Sequence, residues 1–308
     1  MKLVVLVLVN LVMLYYGVLT QPDVVIQMPG GLIRVEERIL LDESFDVSGE
    51  LSSVFIYSMN EHTLLLRWIA TGAPGVEVRE QSPLVVDIPG SELNLRGRLM
   101  YDASIRASII QAFQAAGKEI ETEFLGLRVI FGPADSAVRI GTLITTVNDI
   151  EVTSLRMFVE TISGVDTITL NESLTISRRD DGFFGLTVME DVEIVMSQIG
   201  FDIIDQNVQG NSGGLMQTLN LYNRLVEEDI TQGLRIAGTG TIEADGSVGP
   251  IGGVRQKVIT AAREGIDVFF VPVHDYPDAR AELDLLRTPM QLIGVATFSE
   301  AVEALRQR

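Results

Sequence analysis

The sequence predicts a mixed α/β protein of two or three domains, and three observations carry that expectation. The chain has 308 residues, 46% hydrophobic and 21% charged, enough for more than one core at about 100 to 200 residues per domain. Its last 110 or so residues alternate strand-like and helix-like runs, the pattern of an α/β layer. Its middle third is a series of short apolar runs broken by turn residues, which reads as a small β-rich unit.

From the amino terminus, Leu3 to Leu19 is almost unbroken apolar sequence with Lys2 as the only charge before it. At 17 residues it lies at the lower edge of a membrane-spanning helix, so residues 1–22 read as a signal anchor. A cleavable signal peptide is the alternative, although small residues are scarce in Tyr16-Gly17-Val18-Leu19-Thr20. Lys2 on one side and Asp23, Glu36 and Glu37 on the other place the bulk outside a plasma membrane crossed once. In the region 23–120, Val54 to Tyr57 and Thr63 to Leu66 read as strands. Ile105, Ile109, Ala112, Phe113 and Ala116 recur at helical spacing between a capping Asp102 and a terminating Gly117. A β-rich unit over 121–182 follows, with a hairpin at Val147-Asn148-Asp149-Ile150 and a helix near Leu155 to Ile162. Asp180-Asp181-Gly182 is the expected boundary. The α/β domain at 183–308 begins with a strand at Val192 to Met196 and continues with a helix after Gly214 and a strand near Leu234 to Thr241. A helix at Val254 to Glu264 and the buried-type run Val268 to Val271 complete it.

Charge and composition exclude several functions. Lys and Arg total 23 against 42 Asp and Glu, a net charge of −19, so nucleic acid is not an expected partner. With no Cys there is no disulfide, thiolate metal site or cysteine nucleophile, and His62 and His274 are the only histidines. No metal or cofactor is expected.

Gly210-Asn211-Ser212-Gly213-Gly214 precedes an amphipathic run and sets Ser212 at the start of a helix. Glycines let a substrate carbonyl approach the backbone, and unpaired amides such as those of Ser212 and Gly213 can hold an oxyanion. The same turn also reads as a plain helix cap. A serine needs a base, and the chain has only three lysines, Lys2, Lys118 and Lys257, against 20 arginines. With Val254 at 0°, Lys257 projects at about 300°, between Ala261 near 340° and the polar side. The ammonium therefore shares the apolar face. To act as a base near neutral pH its pKa must fall by roughly 3 units, about 4 kcal/mol, which burial can supply. A lysine whose stem merely covers the edge of the core fits the same pattern.

Residues 123–179 resemble the bacterial PDZ domain through the turn Gly132-Pro133-Ala134-Asp135-Ser136-Ala137, the strand around Gly141-Thr142-Leu143-Ile144 and the Val147-Asn148-Asp149 hairpin. That resemblance implies peptide docking by strand addition, with Leu125-Gly126-Leu127 near a loop receiving a peptide carboxylate. A small β-domain without a ligand is the alternative. Gly-Asn-Ser-Gly-Gly is also similar to the nucleophile turn of trypsin-like proteases of the high-temperature-requirement type, but the only upstream histidine is His62 and the module order is reversed. The carboxyl-terminal region resembles the proteolytic domain of the Lon family, the Ser-Lys peptidases. The likeness runs through Gly210-x-Ser212-x-Gly214, Ile236 to Ile242 and Val248-Gly249-Pro250-Ile251-Gly252-Gly253-Val254-Arg255-Gln256-Lys257. It implies Ser212 as nucleophile, Lys257 as base, Thr239 as a supporting residue, protein or peptide substrates and a homo-oligomer. Asn211 and Gly213 depart from the usual Pro and Ala. No Gly-x-x-x-x-Gly-Lys-[Ser/Thr] loop is present, so ATP dependence is not expected. The whole chain is similar to membrane-anchored, PDZ-containing Lon-like proteases, and an inert peptidase fold that only binds peptides is the competing reading.

Overall fold

The computed structural model describes residues 5, 8–12, 24–59, 63–81, 88–133, 136–204 and 209–308. Most of the apolar run Leu3–Leu19 lies outside them, as does His62. Among the described residues no helix is long and apolar enough to cross a membrane.

The elements begin with β1 (Val24–Arg34), β2 (Ile39–Leu41), β3 (Glu50–Met59), α1 (Leu64–Ala70), β4 (Glu77–Glu80) and α2 (Gly90–Ala115). Next come β5 (Ile120–Phe131), β6 (Leu143–Ile144), β7 (Thr146–Val147), β8 (Ile150–Glu151), α3 (Leu155–Ile162), β9 (Thr167–Leu170), β10 (Leu174–Ser177) and β11 (Thr187–Ser197). The chain closes with β12 (Phe201–Ile203), α4 (Gly214–Leu225), β13 (Arg235–Gly238), α5 (Val254–Arg263), β14 (Val268–Pro272), α6 (Tyr276–Leu286), β15 (Gln291–Val295) and α7 (Phe298–Arg306).

A six-stranded sheet in the order β15-β14-β13-β3-β1-β4 organises the larger part of the molecule. Strands β3, β13, β14 and β15 are parallel, and β1 runs antiparallel to both β3 and β4. Helices α5 and α6 are the crossovers that parallel pairing requires. The run Val268-Phe269-Phe270-Val271 is buried throughout because both faces of β14 are covered. Val268 and Phe270 enter a core with Ile109 and Phe113 of α2, Leu219 of α4 and Phe298 of α7. Phe269 and Val271 enter the opposite core with Val258 and Ala261 of α5 and Leu283 of α6. Strands from residues 24–80 therefore share one sheet with strands from residues 235–295, on both sides of the expected β-rich unit.

That smaller unit has its own core, centred on Leu127, Ile144, Val147, Phe158, Ile168 and Leu170. Asn148 and Asp149 of its hairpin take φ of 49° and 62°, the left-handed pair a two-residue turn needs, which Asn and Asp tolerate. Strand β11 pairs with β5 from Thr187 opposite Phe131 to Ser197 opposite Ile120. This strand, which follows Asp180-Asp181-Gly182, completes the β5 sheet. A charged seam joins the unit to α2: Arg106 of α2 and Arg128 of β5 both pair with the buried carboxylate of Asp191 on β11.

Two local expectations change. Thr63 to Leu66 is not a strand; Thr63 caps α1, its Oγ1 accepting from the Leu66 amide at 3.3 Å. The helix expected from Asp102 begins at Gly90, twelve residues earlier. Gly97 lies inside it against Gln209, where a Cβ would crowd that side chain at 3.0 Å.

Candidate active site

Helix α2 forms one wall of the Ser212 turn. The Gly97 carbonyl accepts from the Gly210 amide at 2.9 Å, Ser104 Oγ donates to the Asn211 carbonyl at 3.3 Å, and Ser108 Oγ donates to the Gly214 carbonyl at 3.1 Å. The segment after β13 forms the other wall, where the Gly240 amide donates to the Ser212 carbonyl at 2.8 Å and the Leu215 amide to the Gly240 carbonyl at 3.1 Å. Gly214 is held so tightly that a Cβ would meet Ile242 Cγ2 and Ser104 Oγ at 2.8 Å, so no larger residue fits. Ser212, half-buried, stands just before the first turn of α4. Among the described residues the amides of Ser212 and Gly213 donate to no backbone oxygen, as expected for the orphan donors at a helix start.

Helix α5 brings Lys257 from the opposite side of the cleft. Its neighbours Val254, Val258 and Ala261 pack into the core beneath the sheet, so the stem runs along apolar surface. The side chain is 3% exposed. Its Nζ lies 3.0 Å from Ser212 Oγ and 2.9 Å from Thr239 Oγ1. Thr239 in turn donates its hydroxyl proton to the Ser212 carbonyl at 3.0 Å, which leaves its lone pair facing the amine. Burial draws the Lys257 pKa from 10.5 down to about 7, against a smaller opposing pull from the Asp275 carboxylate. Asp275 is itself engaged by the Ile251 amide at 2.9 Å. His274 is exposed, with Nδ1 3.2 Å from Asp275 Oδ1.

The three residues singled out in sequence, Ser212, Thr239 and Lys257, thus converge, together with the amides of Ser212 and Gly213. Leu125-Gly126-Leu127 does not join them and forms no open loop. It lies within β5, where Leu127 pairs with Glu190 of β11 on one edge and Ile144 of β6 on the other. A docked peptide would need an edge that β11 already occupies.

Motif reading missed several residues of the cleft. A cavity of about 220 Å³ in front of Ser212 is lined by Gln27, Arg38, Ser53, Phe55, Gly213 and Lys257, among others. Gln27, Arg38 and Ser53 come from the β1–β3 region and carry no motif. Ser104 and Ser108 left a faint signal, two hydroxyls four residues apart on the apolar face of a helix.

Fold and site together define a three-layer α/β protein whose cleft pairs a serine at a helix start with a buried lysine whose pKa burial draws down. Residues 206–307 match the family model of the Lon protease (S16) C-terminal proteolytic domain. The chain is similar to the Lon protease of Aster yellows witches'-broom phytoplasma, 30% identical over 91 residues that are 30% of this chain and 11% of that protein. It is also similar to the Lon protease of Phenylobacterium zucineum, 30% identical over 95 residues, 31% of this chain and 12% of the other. With the Lon protease of Mycoplasma mycoides subsp. mycoides the likeness extends over 158 residues at 25% identity, 48% of this chain and 20% of the other. The matched stretch spans about a tenth to a fifth of the length of these relatives. These likenesses support a serine peptidase domain.

Proposed function

We propose that this protein is an ATP-independent serine endopeptidase using a Ser212–Lys257 dyad. One observation carries the reading: a lysine amine in a dry site stands 3.0 Å from the hydroxyl of a serine at a helix start. Neutral Lys257 takes the Ser212 hydroxyl proton as Oγ attacks a peptide carbonyl carbon, forming the C–O bond. The Ser212 and Gly213 amides hold the oxyanion. The lysine ammonium then returns the proton to the leaving nitrogen as the C–N bond breaks, and water hydrolyses the serine ester by the same proton path. Thr239 keeps one amine N–H occupied, which turns the lone pair toward Ser212.

These 308 residues contain no phosphate-loop motif, which supports hydrolysis without a bound nucleotide. The apolar run Leu3–Leu19 supports membrane attachment with extracytoplasmic substrates. Peptide docking at Leu125–Leu127 is not part of the proposal, because the segment lies within β5 and Leu127 is paired on both edges.

A fluorophosphonate probe tests the dyad. Labelling confined to Ser212 and lost in Lys257→Arg, which keeps charge but not basicity, is the expected result. Full labelling and proteolysis in Lys257→Arg would sink the assignment. Absence of labelling in the wild type would favour a protein that only binds peptides.

A further inference from the structure

Resting on that peptidase reading, we propose that the cavity beside Ser212 is a carboxylate subsite in which Arg38 binds a substrate carboxylate next to the scissile bond. Arg38 lies in the turn between β1 and β2 and is 3% exposed. It lines the same cavity as Ser212 and Lys257. Its Nη1 is 3.6 Å from the point where a Gly213 side chain would begin, which sets the guanidinium on the nucleophile turn.

Among the described residues no ion pair neutralises it. Its Nε has no hydrogen-bond partner, and among the described residues no carboxylate pairs with it, in a chain with 42 Asp and Glu. Its closest electrostatic company is the Tyr101 ring, 5.7 Å from the guanidinium carbon to the centroid. A buried lysine in this position would shed its proton, as Lys257 does, but a guanidinium cannot. An uncompensated buried cation is costly unless something else supplies the anion. With Lys257 neutral, Arg38 is the only charged residue among the described residues that line the cavity. A carboxylate fits this site because its two oxygens accept from the guanidinium fork in parallel.

The carboxylate has two sources, an acidic side chain flanking the cleaved bond or the free end of a chain. The test uses the full-length protein and fluorogenic peptides in three forms: end-blocked with Glu beside the scissile bond, end-blocked with Gln there, and Gln with a free terminal carboxylate one residue away. At least a tenfold higher kcat/KM for one of the carboxylate forms over blocked Gln is expected, and the form favoured identifies the source. In Arg38→Gln that ratio should fall to about one, and Arg38→Lys should retain part of it. A binding measurement on the wild type guards against misfolded variants: a product peptide carrying the carboxylate should protect Ser212 from the fluorophosphonate better than its amide. Equal rates and equal protection, with Ser212 still labelled, would overturn the subsite and leave the peptidase standing. A loss in Arg38→Gln by the same factor for all three peptides would also overturn it, since Arg38 would then serve the oxyanion. No cleavage and no labelling in the wild type would remove the peptidase reading and this one with it.

Discussion

Lys257 in the cleft and Asp191 at the seam between α2 and the smaller unit are both buried ionisable groups, yet their surroundings are opposite. Asp191 has two arginines, Arg106 and Arg128, within ion-pair distance. Lys257 touches two hydroxyls, and the Asp275 carboxylate that pulls on it accepts from a backbone amide and sits beside His274. Pairing turns a buried charge into an attachment between two parts of the fold, and its absence leaves burial free to lower the pKa of a buried amine. Arg38 is a third case, unpaired like Lys257 but unable to lose its charge.

The largest effect should come from removing the amine. Lys257→Met should lower kcat/KM for peptides by roughly 10³-fold or more, read by steady-state kinetics. The same variant should be more stable than the wild type by about 2 to 3 kcal/mol at pH 7. The folded pKa of about 7 lies below the unfolded 10.5, so between these values the unfolded chain holds a proton that the folded chain lacks. Wild-type stability therefore rises with pH across that window, and the advantage of Met is full below pH 7 and gone above 10.5. Urea unfolding at pH 6 and pH 10 checks the sign, and a wild type more stable than Lys257→Met at pH 6 would break the comparison. Asp191→Ala should act in the other direction, costing about 2 kcal/mol, because two partly exposed guanidiniums lose their anion. Activity profiles against pH should show wild-type kcat/KM falling about tenfold per unit below an apparent pKa near 7. Thr239→Val, which removes the hydroxyl orienting the amine, should cost about tenfold in kcat and less in KM.

The alternation of strands and helices in the last third was legible, because β14 and its flanking helices bury faces that leave periodic apolar patterns. Ser212 and Lys257 stand out in the sequence as well, one through the glycines of its turn and the other through the rarity of lysine. The start of α2 was hidden because Gly97 has the same appearance whether it breaks a helix or makes room for Gln209. Thr63 to Leu66 reads as a strand in sequence because a short apolar run has no resolved period. Arg38 was invisible, since twenty arginines look alike until packing strips one of its water.

Composition and periodicity alone determined an acidic, cysteine-free chain with an α/β layer and one serine in a glycine-rich turn. Tertiary structure decided that β1, β3 and β4 enter the same sheet as β13 to β15, which brings α2 and Arg38 to the Ser212 turn. It also decided that Lys257 is dry. The physical reason is that hydrogen-bond ladders and solvent exclusion are non-local: a residue's pairing edge and its access to water depend on segments far along the chain.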